Sequence, residues 1–157
     1  MRRADRELKA IEDIIAVLNK NKVMRLAMTD GDMPYIVPLN YGFVYENGAV
    51  TVYFHCACEG RKLDILAKNN NVCFETDGGH ELITGKTDCA YSFRYESVIG
   101  TGKCFPVTDE GEKLRALACL MKQQTGEDRE FSFAPDEVSH TCIYKIISEN
   151  ITGKARR

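Results

Sequence analysis

The sequence predicts an α+β fold with an all-β core, a closed antiparallel barrel that carries packed helices. Strand-like runs outnumber helical ones about two to one, and they follow one another as hairpins with helices between and outside them. No G-x-G-x-x-G follows a strand, so nothing supports a dinucleotide-binding parallel sheet. The chain has 157 residues, enough for a single domain, 1–157, with a real core.

The elements follow in order. Residues 6–19 carry Leu8, Ile11, Ile14, Ile15 and Leu18 at helical spacing, with Asp5 as the expected cap. Residues 23–29 read as a strand, turned at Asp30-Gly31-Asp32. Residues 34–45 form a long β-rich run. Pro38 inside it points to an edge or a bulge, because proline cannot donate to a ladder. Glu46-Asn47-Gly48 is a hairpin turn and residues 50–55 are its return strand. A helix opens at Gly60 and ends at Asn69-Asn70-Asn71, and residues 72–76 are again a strand. Residues 77–88 are polar and read as a loop. Residues 91–105 are strand-rich, with a bend expected at Gly100-Thr101-Gly102. Asp109 and Glu112 mark a capping box for a second long helix, with Leu114, Leu117, Ala118 and Met121 as its core stripe. Residues 123–137 look irregular, residues 140–147 are the last strand, and Ile151-Thr152-Gly153-Lys154 is a tail.

Charge is nearly balanced, 21 basic against 23 acidic residues, so no global field favours nucleic acid. The basic clusters Arg2-Arg3 and Lys154-Ala155-Arg156-Arg157 read as solvated ends. No apolar run approaches twenty residues and no signal-peptide pattern opens the chain, so no membrane partner is expected. Seven cysteines, an odd number without a C-x-x-C pair, do not form a disulfide framework. The chain reads as reduced and cytoplasmic. Cys56-Ala57-Cys58 has the wrong spacing for a zinc knuckle and no second pair follows, so no metal is expected. On a strand end the two would point the same way, as core or pocket lining.

The most informative stretch is His55-Cys56-Ala57-Cys58-Glu59-Gly60-Arg61-Lys62. An apolar strand precedes it, and Leu63, Leu66 and Ala67 follow at helical spacing. A helix N-terminus has unpaired N–H groups and the positive end of the macrodipole. Two cations in that first turn oppose the dipole unless an anion joins them, so Gly60, Arg61 and Lys62 read as a phosphate site. By itself His55 reads as a hydrogen-bonded strand-end histidine. Asn40 and Ser97 are ordinary strand residues unless a ligand lies beside them.

Six stretches together resemble one family. They are Arg2-Arg3-x-Asp5-Arg6, Pro34-Tyr35-Ile36-Val37-Pro38-Leu39-Asn40-Tyr41, Tyr53-Phe54-His55-x-Ala57-x-Glu59-Gly60-Arg61-Lys62, Val72-Cys73-Phe74-Glu75, Tyr95-Glu96-Ser97-Val98-Ile99-Gly100 and Ile151-Thr152-Gly153-Lys154. The pattern resembles the nitroimidazole-resistance branch of the pyridoxamine 5′-phosphate oxidase-like flavoproteins. The resemblance implies a split β-barrel of the FMN-binding type and a homodimer with one flavin mononucleotide (FMN) per subunit at the interface. It implies that Val37, Pro38, Leu39, Asn40 and Tyr41 run along the flavin edge and that Gly60, Arg61 and Lys62 hold its phosphate. His55 would sit beside the cofactor as the candidate catalytic residue. Ser97 would approach from the barrel wall or from the partner subunit, two arrangements the sequence leaves open.

The implied activity is an FMN-dependent oxidoreductase that reduces a small planar acceptor such as a nitroaromatic ring. A non-catalytic FMN-binding store and a haem-binding split barrel with His55 as axial ligand are the alternatives. Pyridoxamine-phosphate oxidation itself is disfavoured, because no Arg and Ser cluster for a substrate phosphate stands near the C-terminus.

Overall fold

The computed structural model describes residues 3–157, so Arg2 of the first basic pair lies outside the described residues. Eight strands form one antiparallel sheet: β1 (Glu7–Leu8), β2 (Val23–Asp30), β3 (Met33–Asn40), β4 (Gly42–Glu46), β5 (Ala49–Cys56), β6 (Asn71–Ile83), β7 (Ser92–Pro106) and β8 (Cys142–Arg156). Four helices accompany them: α1 (Ile11–Lys20), α2 (Arg61–Lys68), α3 (Glu110–Thr125) and α4 (Pro135–His140). The strand order is β3-β2-β6-β7-β8-β5-β4, with β1 paired to β8. The barrel is therefore split rather than closed. Edge strand β3 comes close to β5 but does not pair with it.

The core has two parts. Inside the curled sheet, Leu18, Leu26, Val52, Phe54, Val98 and Ile146 are fully buried. Each such side chain contributes on the order of 1.5–3 kcal/mol relative to exposure. On the outer face, Tyr53, Val107, Ala116 and Ile143 form a smaller cluster beneath α3. Along β5 the side chains alternate, so Val52 and Phe54 point inward while Tyr53 and His55 point toward the α3 side. A Cβ on Gly42 would come within 2.6–2.7 Å of the Cys119 carbonyl group and the Leu120 nitrogen, so glycine sets how closely α3 lies on β4.

Several local expectations change. The first helix begins at Ile11, because Glu7 and Leu8 pair with β8 as a short strand, and Asp5, engaged by Arg3 at 2.6 and 2.8 Å, caps no α-helix. Residues Ala4–Arg6 form a 3-10 turn, and Leu8 belongs to β1. The β-rich run divides at Tyr41, whose buried hydroxyl donates to the Leu18 carbonyl at 2.7 Å. The expected loop 77–88 is strand as far as Ile83, since β7 supplies a ladder partner and a bulge between Gly78 and Glu81 absorbs the irregularity. The expected tail 151–154 lies inside β8, paired with β7 and β1. The cap of α3 is as expected, with Asp109 Oδ1 accepting from the Glu112 N–H at 2.7 Å. Its buried stripe is instead Ala116, Leu120 and Gln123, and Leu114 and Met121 are exposed. Helix α4 falls at the end of the stretch expected to be irregular. It buries only Val138, too little apolar surface to leave a helical period in the sequence.

The cysteines also depart from expectation. Cys58 and Cys142 form a disulfide across a separation of 84 residues, while Cys56, Cys73, Cys89, Cys104 and Cys119 are free. Cys58 lies beyond the end of β5, bonded to the residue that stands opposite Cys56 across the ladder.

Candidate functional site

Asn40 and His55 meet in one cavity of about 420 Å³. Asn40 is the last residue of β3 and His55 the penultimate residue of β5. Their convergence follows from the split: β4 pairs with β5 only up to Tyr53, so the end of β5 is uncovered on the side where β3 arrives. Helix α3 lines the cavity with Leu117, Leu120, Met121 and Gln124, and Phe133 and Thr141 complete the lining. The sequence reading puts Leu117 and Met121 on a core stripe and marks none of the six as lining a site. The signal was there, since 117, 120, 121 and 124 share one helical face.

Polar contacts hold the cavity floor. The Asn40 side-chain amide donates to Gln124 Oε1 at 2.8 Å and to the Lys22 carbonyl at 3.2 Å. Gln124 Nε2 donates to the carbonyls of Lys22 and Tyr41, each at 3.0 Å. Next to it, Gln123 Nε2 donates to the carbonyls of Leu18 at 2.8 Å and Asn21 at 2.7 Å, at and just beyond the end of α1, where Leu18 also accepts from the Tyr41 hydroxyl.

Val37 and Leu39 point into the sheet interior, whereas Pro38 and Asn40 are exposed on the other face. The outer edge of β3 has no strand partner. Tyr41 contributes its backbone here, because its side chain is buried in the core. That burial pushes its hydroxyl up to about 12.

The Gly60 turn lies five residues beyond His55. Gly60 has φ 119°, a conformation L side chains rarely adopt, and the space in front of it is open. Arg61 donates to Asp30 at 3.0 and 3.1 Å and stacks over Tyr35 at 4.4 Å. Lys62 is half-buried, 5.7 Å from the centre of the Phe54 ring. Its ammonium also neighbours Cys56, and opposes the burial that holds that thiol above its ordinary value.

Ser97 is not brought to this cavity within the subunit. It lies on β7 between Asp77 and Lys154. Its neighbour Glu96 is buried and paired with Lys20 at 2.5 Å. Among the described residues no group of three His, Cys, Asp or Glu could hold a metal, and no helix is long and apolar enough to cross a membrane.

A family model for pyridoxamine 5′-phosphate oxidase matches residues 11–155. The chain belongs to the pyridoxamine 5′-phosphate oxidase-like family. Within it, the chain is similar to a solved Bacteroides thetaiotaomicron protein named for 5-nitroimidazole antibiotic resistance, with 32% identity over 95% of this chain and 86% of that one and a TM-score of 0.80. A FAD-binding protein of Mesorhizobium loti shares 25% identity over 97% of this chain and 98% of its own, with a TM-score of 0.65. The FAD- and haem-binding protein of Mycobacterium smegmatis shares the fold at a TM-score of 0.81, with 17% identity over 97% of this chain and 74% of its own. No curated protein sequence matches the chain significantly. The same fold thus carries a FAD-binding protein and a FAD- and haem-binding protein.

Proposed function

We propose that the protein is an FMN-dependent oxidoreductase that reduces small planar nitroaromatic acceptors, 5-nitroimidazoles among them. It works as a cytoplasmic homodimer with the flavin at the subunit interface. The observation that carries this reading is the meeting of Asn40 and His55 in one cavity beside the unpaired edge of β3. The name borne by the Bacteroides relative supports the acceptor class.

The residues present fit FMN. A dianionic phosphate suits the open space before Gly60, the Arg61 and Lys62 N–H groups that open α2 ahead of the Leu63 N–H bonded to Gly60, and the Arg61 and Lys62 side chains. A flat ring with polar rim atoms suits the backbone of Val37, Pro38, Leu39 and Asn40, laddered to β2 on one side only, and of Tyr41, whose carbonyl already accepts from Gln124. When bound, FMN supplies electron and hydride transfer. The chain does the rest. Leu117, Leu120 and Phe133 exclude water and give a planar acceptor an apolar wall. His55, exposed into the same cavity, holds a proton at the acceptor's nitro oxygen.

A second copy completes the site. Ile36, Ile99 and Ile147 are 60%, 48% and 42% exposed, apolar surface that a two-fold pairing covers. In that pairing Ser97 reaches the flavin from the other subunit.

The test is the visible absorption spectrum of the purified protein, followed by turnover with a chemical reductant and a 5-nitroimidazole. Flavin bands and nitro reduction are expected. A Soret band would favour the haem reading, which the exposed His55 and the Mycobacterium smegmatis relative support. Flavin bands without turnover would leave an FMN store.

A further inference from the structure

Three cysteines gather where β5 runs into the Gly60 turn. Cys58 is bonded to Cys142, the first residue of β8. Cys56 is free, and its register partner across the ladder is the same Cys142. Directly opposed residues of an antiparallel pair share a face, at a Cα spacing of about 4.5–5.5 Å. That lies within the roughly 4.4–6.8 Å that a disulfide spans. Phe54 and Tyr144, the next pair on that face, stack at 5.7 Å, so the two strands are held in this register. Cys142 therefore has two sulfur partners within reach, one in the turn and one in the strand. The bond to Cys58 fastens the chain to β8 two residues ahead of Gly60.

We propose that Cys56, Cys58 and Cys142 form a thiol–disulfide exchange site, serving low-molecular-weight thiols and disulfides, that latches the Gly60–Lys62 turn to β8. In oxidation, the Cys58 thiolate attacks a small disulfide and releases one small thiol. The Cys142 thiolate then attacks Cys58 Sγ and releases the second. Two electrons and two protons pass from the cysteine pair to the two thiol products. In exchange, the Cys56 thiolate attacks Cys142 Sγ, the bond to Cys58 breaks, and Cys58 takes up the proton that Cys56 gave. No net redox change accompanies that step. Burial outweighs the pull of Lys62 on the Cys56 thiol, so exchange is slow at neutral pH and quickens as pH rises. Cys104 behind it is pushed up to about 12 by burial and does not compete.

The latch rests on the phosphate reading of the turn, but the exchange site does not. The full-length protein is equilibrated with reduced and oxidised glutathione in varied ratio, alkylated with N-ethylmaleimide and mapped by peptide mass spectrometry. Oxidised wild type should show the Cys58–Cys142 bridge with Cys56 alkylated. Cys58→Ser, folded by circular dichroism, should show a Cys56–Cys142 bridge. Alkylation of both Cys58 and Cys142 in oxidised wild type, or of both Cys56 and Cys142 in Cys58→Ser, would overturn the site. Should Cys58→Ser fail to fold, wild type mapped after incubation at alkaline pH decides the matter: the Cys56–Cys142 isomer supports exchange and its absence refutes it. FMN affinity should fall about tenfold on reduction, the order expected when roughly one backbone residue must be ordered on binding. Equal affinity in the two states overturns the latch. Failure to bind FMN in either state counts against the cofactor reading and with it the latch, while the bridge map still judges the exchange site.

Discussion

Asn40 and Gln124 share a 2.8 Å hydrogen bond that ties the end of edge strand β3 to helix α3 across the floor of the cavity. Gln124 also donates to two backbone carbonyls, so one side chain joins three segments. Gln124→Ala leaves the Tyr41 carbonyl without this donor, and leaves the Asn40 amide and the Lys22 carbonyl only their bond to each other. Stability should drop by about 1–3 kcal/mol, read as a lower urea midpoint with an unchanged slope. An unchanged midpoint would mean that water replaces the side chain at no cost.

Replacing Arg61 and Lys62 together with Ala should weaken FMN at least about a hundredfold, since each charge-assisted contact is worth roughly 1.5–3 kcal/mol. Riboflavin, lacking the phosphate, should be affected far less. Equal losses for the two ligands in parallel titrations would show that the pair does not read the phosphate. Arg61 already donates to Asp30 and must be shared with, or released to, the ligand.

His55→Ala should keep its bound flavin and lose nitro-reduction on the order of a hundredfold, with no rescue by Gln, if the residue supplies the proton. A small change confined to KM would leave it a wall of the cavity. A colourless but folded variant would move His55 into the cofactor's own binding shell.

Gly42→Ala should lower stability by roughly 1–3 kcal/mol, because the added methyl meets only backbone atoms of α3 and the helix must lift. Thermal unfolding monitored by circular dichroism reads the effect. A midpoint equal to that of wild type would show that α3 yields without loss.

Alkaline pH should destabilise the fold through Tyr41. Burial raises its hydroxyl from an ordinary value of 10 to about 12, so the folded state keeps a proton that the unfolded chain gives up. This contribution is fully present below pH 10 and is lost as pH rises through about 12. Tyr41→Phe should be less stable at neutral pH, for want of the bond to Leu18, but should lose less between pH 10 and 12. Parallel curves for the two proteins in denaturant titrations would refute the assignment.

Much of the local structure around the candidate site is legible in the sequence, where its chemistry is local. The Gly60-Arg61-Lys62 turn, the Asp109–Glu112 cap and the edge character of the Pro38 strand each need only a few neighbouring residues to declare themselves. Leu117, Leu120 and Gln124 were harder to assign, because a helical face shows that something is covered but not what covers it. Ser97 was placed on its strand, yet its distance from the cavity within one subunit depends on strand order.

By itself the sequence determined the hairpin order, the β core and the strand-turn-helix at residues 50–68, because periodicity and turn chemistry act over a few residues. Only the tertiary structure decided that the barrel stays open and that Asn40 meets His55 in the gap. It likewise paired Cys58 with Cys142, 84 residues away. These outcomes depend on register and on which strands are left at the edge. Both are set by the summed burial of both sheet faces, a property of the whole chain that no short segment contains.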